Sequence, residues 1–254
     1  MTQVKNLKDL PTLSKLGTTN SLLATENATG KSYRMSAANL KSELGSISID
    51  DVMDNVFIMC HRSSDGYPVC YRPSEWAAQE AAGNVATGVL LIDGGRKLVI
   101  APQEKTSIWS TCQLECGTKQ ADRLLAQELY NGKENCAKIL TNTTLAAEGD
   151  ASAVGWCNAY ERINAGGKGL KAGAWWLPSL GELYLMFANY TKINYALSKI
   201  SGATLLSKSP YWSCTETSAV HAWLLVFSNG LQNNLNKSAI QCGVRPVSAF
   251  AMAT

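Results

Sequence analysis

The chain has 254 residues, 46% of them hydrophobic and 17% charged, with a formal net charge of +3. That is a globular composition, with length for one large domain and a small appendage. No Lys/Arg run is dense enough to track phosphates, so nucleic acid is not an expected partner, and no apolar window is long enough for a membrane span.

The first 46 residues read as a separate module. "SLLAT" and "SYRMS" flank Asn27–Gly30 and predict a strand, a turn and a strand. Ser36 is placed to cap a short helix over 37–44, which Gly45 ends. Such a unit buries too little apolar surface to fold alone. It is expected to pack on the main domain, on symmetry-related copies or on a larger assembly. The opening "MTQVKNLKDLPTLSKL" has no apolar leader core, so export by a signal peptide is not expected.

From residue 47 to 254 the spacing predicts one continuous domain. "NVFIMC" reads as a strand, and "PSEWAAQEAA" as a helix capped by Ser74. "TGVLLIDGGRKLVIAP" predicts a hairpin turning at Asp93-Gly94-Gly95. Helices are expected over 121–130, where Leu124, Leu125 and Leu129 share a face, and over 152–164. In "LPSLGELYLMFANY", Ser179 and Glu182 fit a capping box, with Pro178 and Leu183 at the staple positions. Leu180, Leu183, Tyr184 and Phe187 then form one helical face, and Ile193, Leu197 and Ile200 continue it. Short strands follow from Tyr211, the last carrying Val244 and Val247.

Few residues suggest chemistry. The eight cysteines are expected to be reduced thiols. Cys112 and Cys116 form a CxxxC, but no second ligand pair accompanies it and the chain has two histidines, so neither metal nor cofactor is expected. "NAGGKGLKAG" lacks the hydroxyl and the leading strand of a phosphate loop. Glu182 already has a capping role, Glu216 reads as a hydrogen-bonding strut, and His221 has no triad-like neighbours. A non-enzymatic role is therefore expected. Trp175, Trp176, Tyr211, Trp212 and Trp223 are expected in the core.

"AWLLVFSNGLQNNLNKS" is less easily placed. Trp223, Leu225 and Phe227 alternate as one strand face, yet Leu224 and Val226 between them are apolar too. A strand buried on both faces and a strand with an apolar outward patch fit this pattern equally.

The ordered set "AWWLPSLGEL", "YWSCTE", "AW", "F", "NG" and "VRPVSAF" resembles the C-type lectin-like variable proteins of diversity-generating retroelements, found in gut bacteriophages and bacteria. "TGVLLIDGGRKLVIA" resembles that family's early hairpin, and the likeness covers about residues 56–250. Residues 1–45 loosely resemble N-terminal segments of phage fibre proteins.

The resemblance implies an α+β, C-type lectin-like domain, related in fold to formylglycine-generating enzymes, behind a small N-terminal attachment module. It implies a hypervariable segment over about 211–247, rewritten at adenines of Asn codons. Trp212, Glu216, Trp223, Phe227, Gly230, Lys237 and Arg245 match the fixed scaffold. Thr217, Ser218, Ala219, Val220, His221, Leu224, Val226, Leu231, Leu235, Ser238, Ala239 and Ile240 are all reachable from Asn, and Asn233, Asn234 and Asn236 are Asn still. Gln232 and Gln241 are not reachable from Asn.

With Cys214, Ser228, Gln241 and Cys242, these replaceable positions form the expected ligand surface. On this reading Leu224, Val226 and Ser228 face outward. The implied role is that of a phage receptor-binding protein at a tail fibre or tail tip. It would reside on the virion, attach to tail proteins as a homo-oligomer such as a trimer, and bind a protein or glycan of the bacterial surface. No Glu-Pro-Asn or Trp-Asn-Asp motif supports calcium-dependent sugar binding. Two other readings stay open: a formylglycine-generating-type enzyme, for which Cys214 and Cys242 are far apart in sequence, and a bacterial surface or fimbrial adhesin.

Overall fold

The computed structural model describes residues 21–25, 32–36 and 55–251. The chain divides into two units, Met1–Val52 and Met53–Thr254. In the first, β1 (Ser21–Thr25) and β2 (Ser32–Ser36) pair antiparallel from Ser21↔Ser36 to Thr25↔Ser32, as the strand-turn-strand pattern predicts. The helix expected over 37–44 lies outside the described residues.

The second unit is α+β, with two main sheets. One has the order β10 (Trp175–Trp176), β15 (Val247–Ser248), β6 (Arg96–Ile100), β5 (Ala86–Asp93), β3 (Val56–His61), β4 (Pro68–Tyr71). The other has the order β13 (Leu231–Asn236), β12 (His221–Val226), β11 (Pro210–Glu216), β14 (Cys242–Val244), β7 (Lys105–Ser107). Pairing is antiparallel throughout both, except for β11 with β14, which run parallel at Tyr211↔Gly243. A small hairpin joins β8 (Arg162–Ile163) to β9 (Gly169–Leu170).

Local signals account for most of these elements. Asp93 pairs with Arg96, which leaves Gly94 and Gly95 as a two-residue turn with φ of 55° and 77°. A tight turn of this kind needs positive φ at both centres, which glycine supplies without a Cβ clash. Asp93 is thus the last strand residue rather than part of the turn. The helix α1 (Trp76–Ala81) follows a 3-10 turn over Pro73–Glu75 that is capped by Arg72, not by Ser74. Pro73 has no N–H and suits the first helical position, so the cap falls one residue before it, and Arg72 N–H donates to the Glu75 carboxylate at 2.8 Å.

The helix expected over 121–130 is the short α2 (Arg123–Gln127), with Asp122 accepting from the Leu124 and Leu125 amides. One turn presents little face, and Ala126 is the residue it buries; Leu124 and Leu125 are 69% and 51% exposed. After α3 (Gly132–Ile139) and α4 (Thr143–Ala146), α5 (Ala153–Ala159) is capped by Ser152 through the Gly155 amide at 3.0 Å. Helix α6 (Leu180–Ala188) carries the expected capping box, with Ser179 and Glu182 reciprocally bonded. Helix α7 (Tyr190–Leu197) follows after the single residue Asn189. Helix α6 lies against β11 and β12, and α7 lies against β3 and β5, so this helical pair links the two sheets over the main core.

Both faces of the six-stranded sheet are covered. Val56, Ile58 and Cys60 enter the main core, while Met59 enters a smaller cluster with Leu90, Val99, Ala101, Leu170 and Trp175. The glycine-rich "NAGGKG" is an ordered turn. Asn164 Oδ1 accepts from the Gly166 and Lys168 amides, each at 3.0 Å. Those are amides a phosphate cradle would have offered to its ligand.

His61 is buried, with Nδ1 2.8 Å from Thr87 Oγ1 and Nε2 3.1 Å from the Ala251 carbonyl oxygen. A carbonyl only accepts, so Nε2 carries the proton and Nδ1 accepts from Thr87. Burial holds the His61 pKa below its ordinary value, with the Ala251 bond opposing. The folded state therefore favours neutral imidazole. Its contribution is complete above about pH 6.5 and is lost as pH falls through the lowered folded value. Melting of wild type should weaken over that interval, and His61→Gln should lose this component of the pH dependence. Parallel pH profiles for the two proteins would contradict the assignment.

Candidate functional site

The scaffold under the expected variable segment is built from residues bonded over long sequence distances. Glu216, at the end of β11, and Lys237, just after β13, form an ion pair with both side chains fully buried. Glu216 also accepts from the Cys116 and Gly117 amides. Lys237 Nζ donates to the Leu114 carbonyl at 2.8 Å and lies 4.5 Å from the Trp109 ring centroid. Main-chain bonds reinforce the link, since the Trp109 amide donates to the Lys237 carbonyl at 2.9 Å. Segment 109–117 is thereby fixed beside the β12–β13 hairpin. Glu148 holds the other side of this segment, accepting from Ser110 Oγ, Thr111 N, Thr111 Oγ1 and Cys112 N. Burial would raise its pKa, but the Thr111 and Cys112 bonds outweigh burial and hold it below the usual carboxylate value.

The remaining scaffold residues are similarly placed. Trp212 Nε1 donates to the Ser107 carbonyl at 3.1 Å, and Trp223 Nε1 to the Gln120 carbonyl at 2.7 Å. Phe227 packs edge-on against Phe187 of α6, with centroids 5.7 Å apart. Buried Arg245 donates to the carbonyls of Ala101 and Thr204 and, at 2.6 Å, to Glu104. Tyr211 OH donates to the same Glu104 at 2.7 Å, and burial, with that carboxylate, pushes the Tyr211 pKa up to about 12.

Strand β12 resolves the ambiguity of its sequence. Trp223, Leu225 and Phe227 are buried, as expected. Leu224 is not outward: it is 1% exposed, stands opposite fully buried Trp212 in register, and shares the main core with it. The apolar residues on both sides of this strand reflect an interior strand covered on both faces. Val226 is half-buried and packs against the main core, and Ser228, beyond the end of the strand, is exposed. Cys214 and Cys242 are also buried, which corrects their place on the expected surface. Cys214 Sγ lies 3.3 Å from Asn135 Nδ2, in the interior, because β11 is a central strand with α3 packed on it. Burial pushes the Cys242 thiol up to about 12.

The other expected positions reach solvent. Thr217, Ser218, Ala219, Val220 and His221 are half-buried in the β11–β12 turn, where Ser218 Oγ accepts from the Val220 and His221 amides. Along the edge strand β13, Leu231, Asn233 and Asn234 are exposed and Leu235 and Asn236 half-buried. Ser238 is half-buried, and Ala239, Ile240 and Gln241 are exposed. Gln232 behaves differently from its neighbours. It is buried, accepts from Tyr184 OH at 2.9 Å, and donates to the Arg123 carbonyl at 3.0 Å. Of the two residues not reachable from Asn, Gln232 is a strut tying β13 to α6 and α2, whereas Gln241 is exposed.

Those bonds bring residues to the surface that sequence reasoning missed. Gln113 Nε2 donates to Ser238 Oγ at 3.2 Å, placing exposed Leu114 beside the 238–241 loop and Ile240. The Gln232 bond to the Arg123 carbonyl ties β13 to α2, which carries exposed Leu124 and Leu125. No sequence signal marks Leu114, and the apolar spacing of Leu124 and Leu125 points to a core role they do not have.

All eight cysteines are free thiols. Among the described residues, no group of three or more His, Cys, Asp or Glu is arranged to hold a metal, and no helix is long and apolar enough to cross a membrane.

No family model matches the chain, and no curated protein matches it. Among solved structures it is similar to a fimbrial protein from Bacteroides ovatus, with a TM-score of 0.43 and 15% identity over 80% of this chain and 46% of that one. The chain therefore spans about half the length of that fimbrial protein.

Proposed function

We propose that Met53–Thr254 is a C-type lectin-like ligand-binding domain of a phage receptor-binding protein, acting by binding rather than catalysis. The ligand surface comprises the 217–221 turn, the exposed side of β13 and the 238–241 loop, with Leu114, Leu124 and Leu125 at its margin. One observation carries this reading. Within 211–247 the residues that match the scaffold are buried, apart from half-buried Gly230 in the β12–β13 turn, whereas most residues reachable from Asn lie where a ligand can touch them. Leu231 and Ile240, 48% and 39% exposed, are the large apolar side chains on this surface that a ligand could cover. The first unit supplies attachment to virion tail proteins within a homo-oligomer, for which a trimer suits a fibre.

Leu231→Asn with Ile240→Asn should leave folding intact, because both side chains are exposed in part and neither belongs to the buried core. Covering the two side chains with a ligand would contribute about 1–3 kcal/mol, so single-site affinity for host cells should fall roughly 10- to 100-fold. Binding at wild-type strength would place recognition elsewhere. The diversification element has its own test in the genome: a second copy of the DNA encoding residues 211–247, differing at adenines, close to a reverse transcriptase gene. A complete genome with neither would remove diversification and leave the binding surface to be judged by the affinity measurement.

A further inference from the structure

Among the described residues, β10 and β4 are the outer strands of one main sheet, and β13 and β7 those of the other. An edge strand offers its main-chain groups to any extended chain, and proteins blunt such edges with brevity, proline or charge. β10 has two residues, β4 has four and opens on Pro68, and β7 has three and carries Lys105. β13 has none of these devices. It has six residues, LQNNLN, with no proline and no charged side chain. It pairs with β12 in unbroken register from Leu231↔Val226 to Asn236↔His221, so no bulge turns its edge away.

Two main-chain bonds fix which groups of β13 point outward. The Phe227 amide donates to the Ser209 carbonyl, which turns Phe227 and Leu225 toward β11 and leaves Ala222, Leu224 and Val226 toward β13. The Lys237 amide donates to the Val220 carbonyl on the same alternation. Leu231, Asn233 and Leu235 therefore bond to β12, and Gln232, Asn234 and Asn236 turn N–H and C=O to the outer edge. Gln232 is buried, so the open edge is residues 233–236. There the exposed Asn234 amide is met by the side chain of its own neighbour, Asn233 Oδ1, at 2.9 Å.

We propose that the ligand is a protein that adds an extended segment to β13 as a further strand over residues 233–236, an inference that rests on the ligand surface proposed above and names the class of its ligand. The alternating donors and acceptors of an extended chain match those of Asn234 and Asn236 at strand spacing, which the hydroxyls of a glycan do not. Main-chain pairing is indifferent to sequence, while Asn233 and Leu235 on one face and Asn234 and Asn236 on the other would flank the incoming side chains. Replacement of these side chains thus changes what is recognised and leaves the pairing in place. A second copy seated on β13 would instead cover the surface that the ligand needs.

The test compares Asn234→Pro with Asn234→Ala, and Asn236→Pro with Asn236→Ala, in the full chain, each scored for melting temperature and for binding to intact host cells. Proline removes the outward N–H and leaves the bonds to β12, a placement that edge strands tolerate. Both Pro variants should fold, and each should bind about tenfold or more weakly than its Ala partner. Wild type should lose its binding to host cells shaved with a protease. Leu231→Asn with Ile240→Asn, run alongside, separates the two claims. Weakened binding there, with equal binding of Pro and Ala variants, overturns the added strand and leaves the ligand surface standing; undiminished binding in every variant removes both. Full binding to shaved cells would make the ligand a glycan. A wild-type dimer abolished by Asn234→Pro, with cell binding retained, would make the occupant a second copy. Unfolding of both Pro variants would show that the outward amides bond inside the domain. Each of these last three results overturns the proposal.

Discussion

Lys237→Met should be among the most damaging single changes in the domain, lowering stability by about 3–5 kcal/mol. Lys237 and Glu216 are both fully buried and paired. Methionine fills much of the lysine volume, so packing loss is small and the cost is electrostatic. Glu216 would keep the Cys116 and Gly117 amides but lose its only ion-pair partner among the described residues. The Leu114 carbonyl would lose its donor, and the Trp109 ring its cation. For a domain of this size the change corresponds to a fall in melting temperature of roughly 6–20 °C. The double variant Glu216→Gln, Lys237→Met should recover part of that loss, because no uncompensated charge is left buried. A single variant that melts within a degree or two of wild type would show that the pair does not hold segment 109–117 in place.

Leu224→Asn should cost about 3 kcal/mol or more. Loss of a buried leucine side chain costs about 2–5 kcal/mol, and an interior amide without partners adds about 1–3 kcal/mol. Val226→Asn, two residues further on the same strand and only half-buried, should cost about 1 kcal/mol. Chemical denaturation of the pair separates the two positions. Equal and small effects would restore Leu224 to the outward face. If the segment is diversified in nature, position 224 should be confined to apolar residues while positions 217–220 and 238–241 vary in polarity.

The parts legible in the sequence are those fixed by local chemistry. The α6 capping box and the β5–β6 turn at Gly94-Gly95 each depend on residues within a few positions. The alternation of Trp223, Leu225 and Phe227 likewise identified one buried face of β12. The second buried face was not legible, because it depends on neighbours such as Trp212 and on a segment about a hundred residues earlier in the chain. Gln232 reads as one more polar residue in an asparagine-rich run, and only its bonds to Tyr184 and Arg123 show it to be structural. Leu124 and Leu125 mislead in the opposite sense. Their spacing suits a helix face, but α2 is a single turn and buries Ala126 in their place.

Separation of scaffold from ligand surface can be measured in one experiment: saturation mutagenesis of residues 211–247 in the full chain, with each variant scored for protease resistance and for host-cell binding. The account predicts that changes at Trp212, Glu216, Trp223, Leu224, Phe227, Gln232, Lys237 and Arg245 destroy protease resistance. Changes at Leu231, Asn233, Ala239, Ile240 and Gln241 should leave protease resistance intact and reduce binding. Full binding across that second set, or ready tolerance across the first, would contradict it.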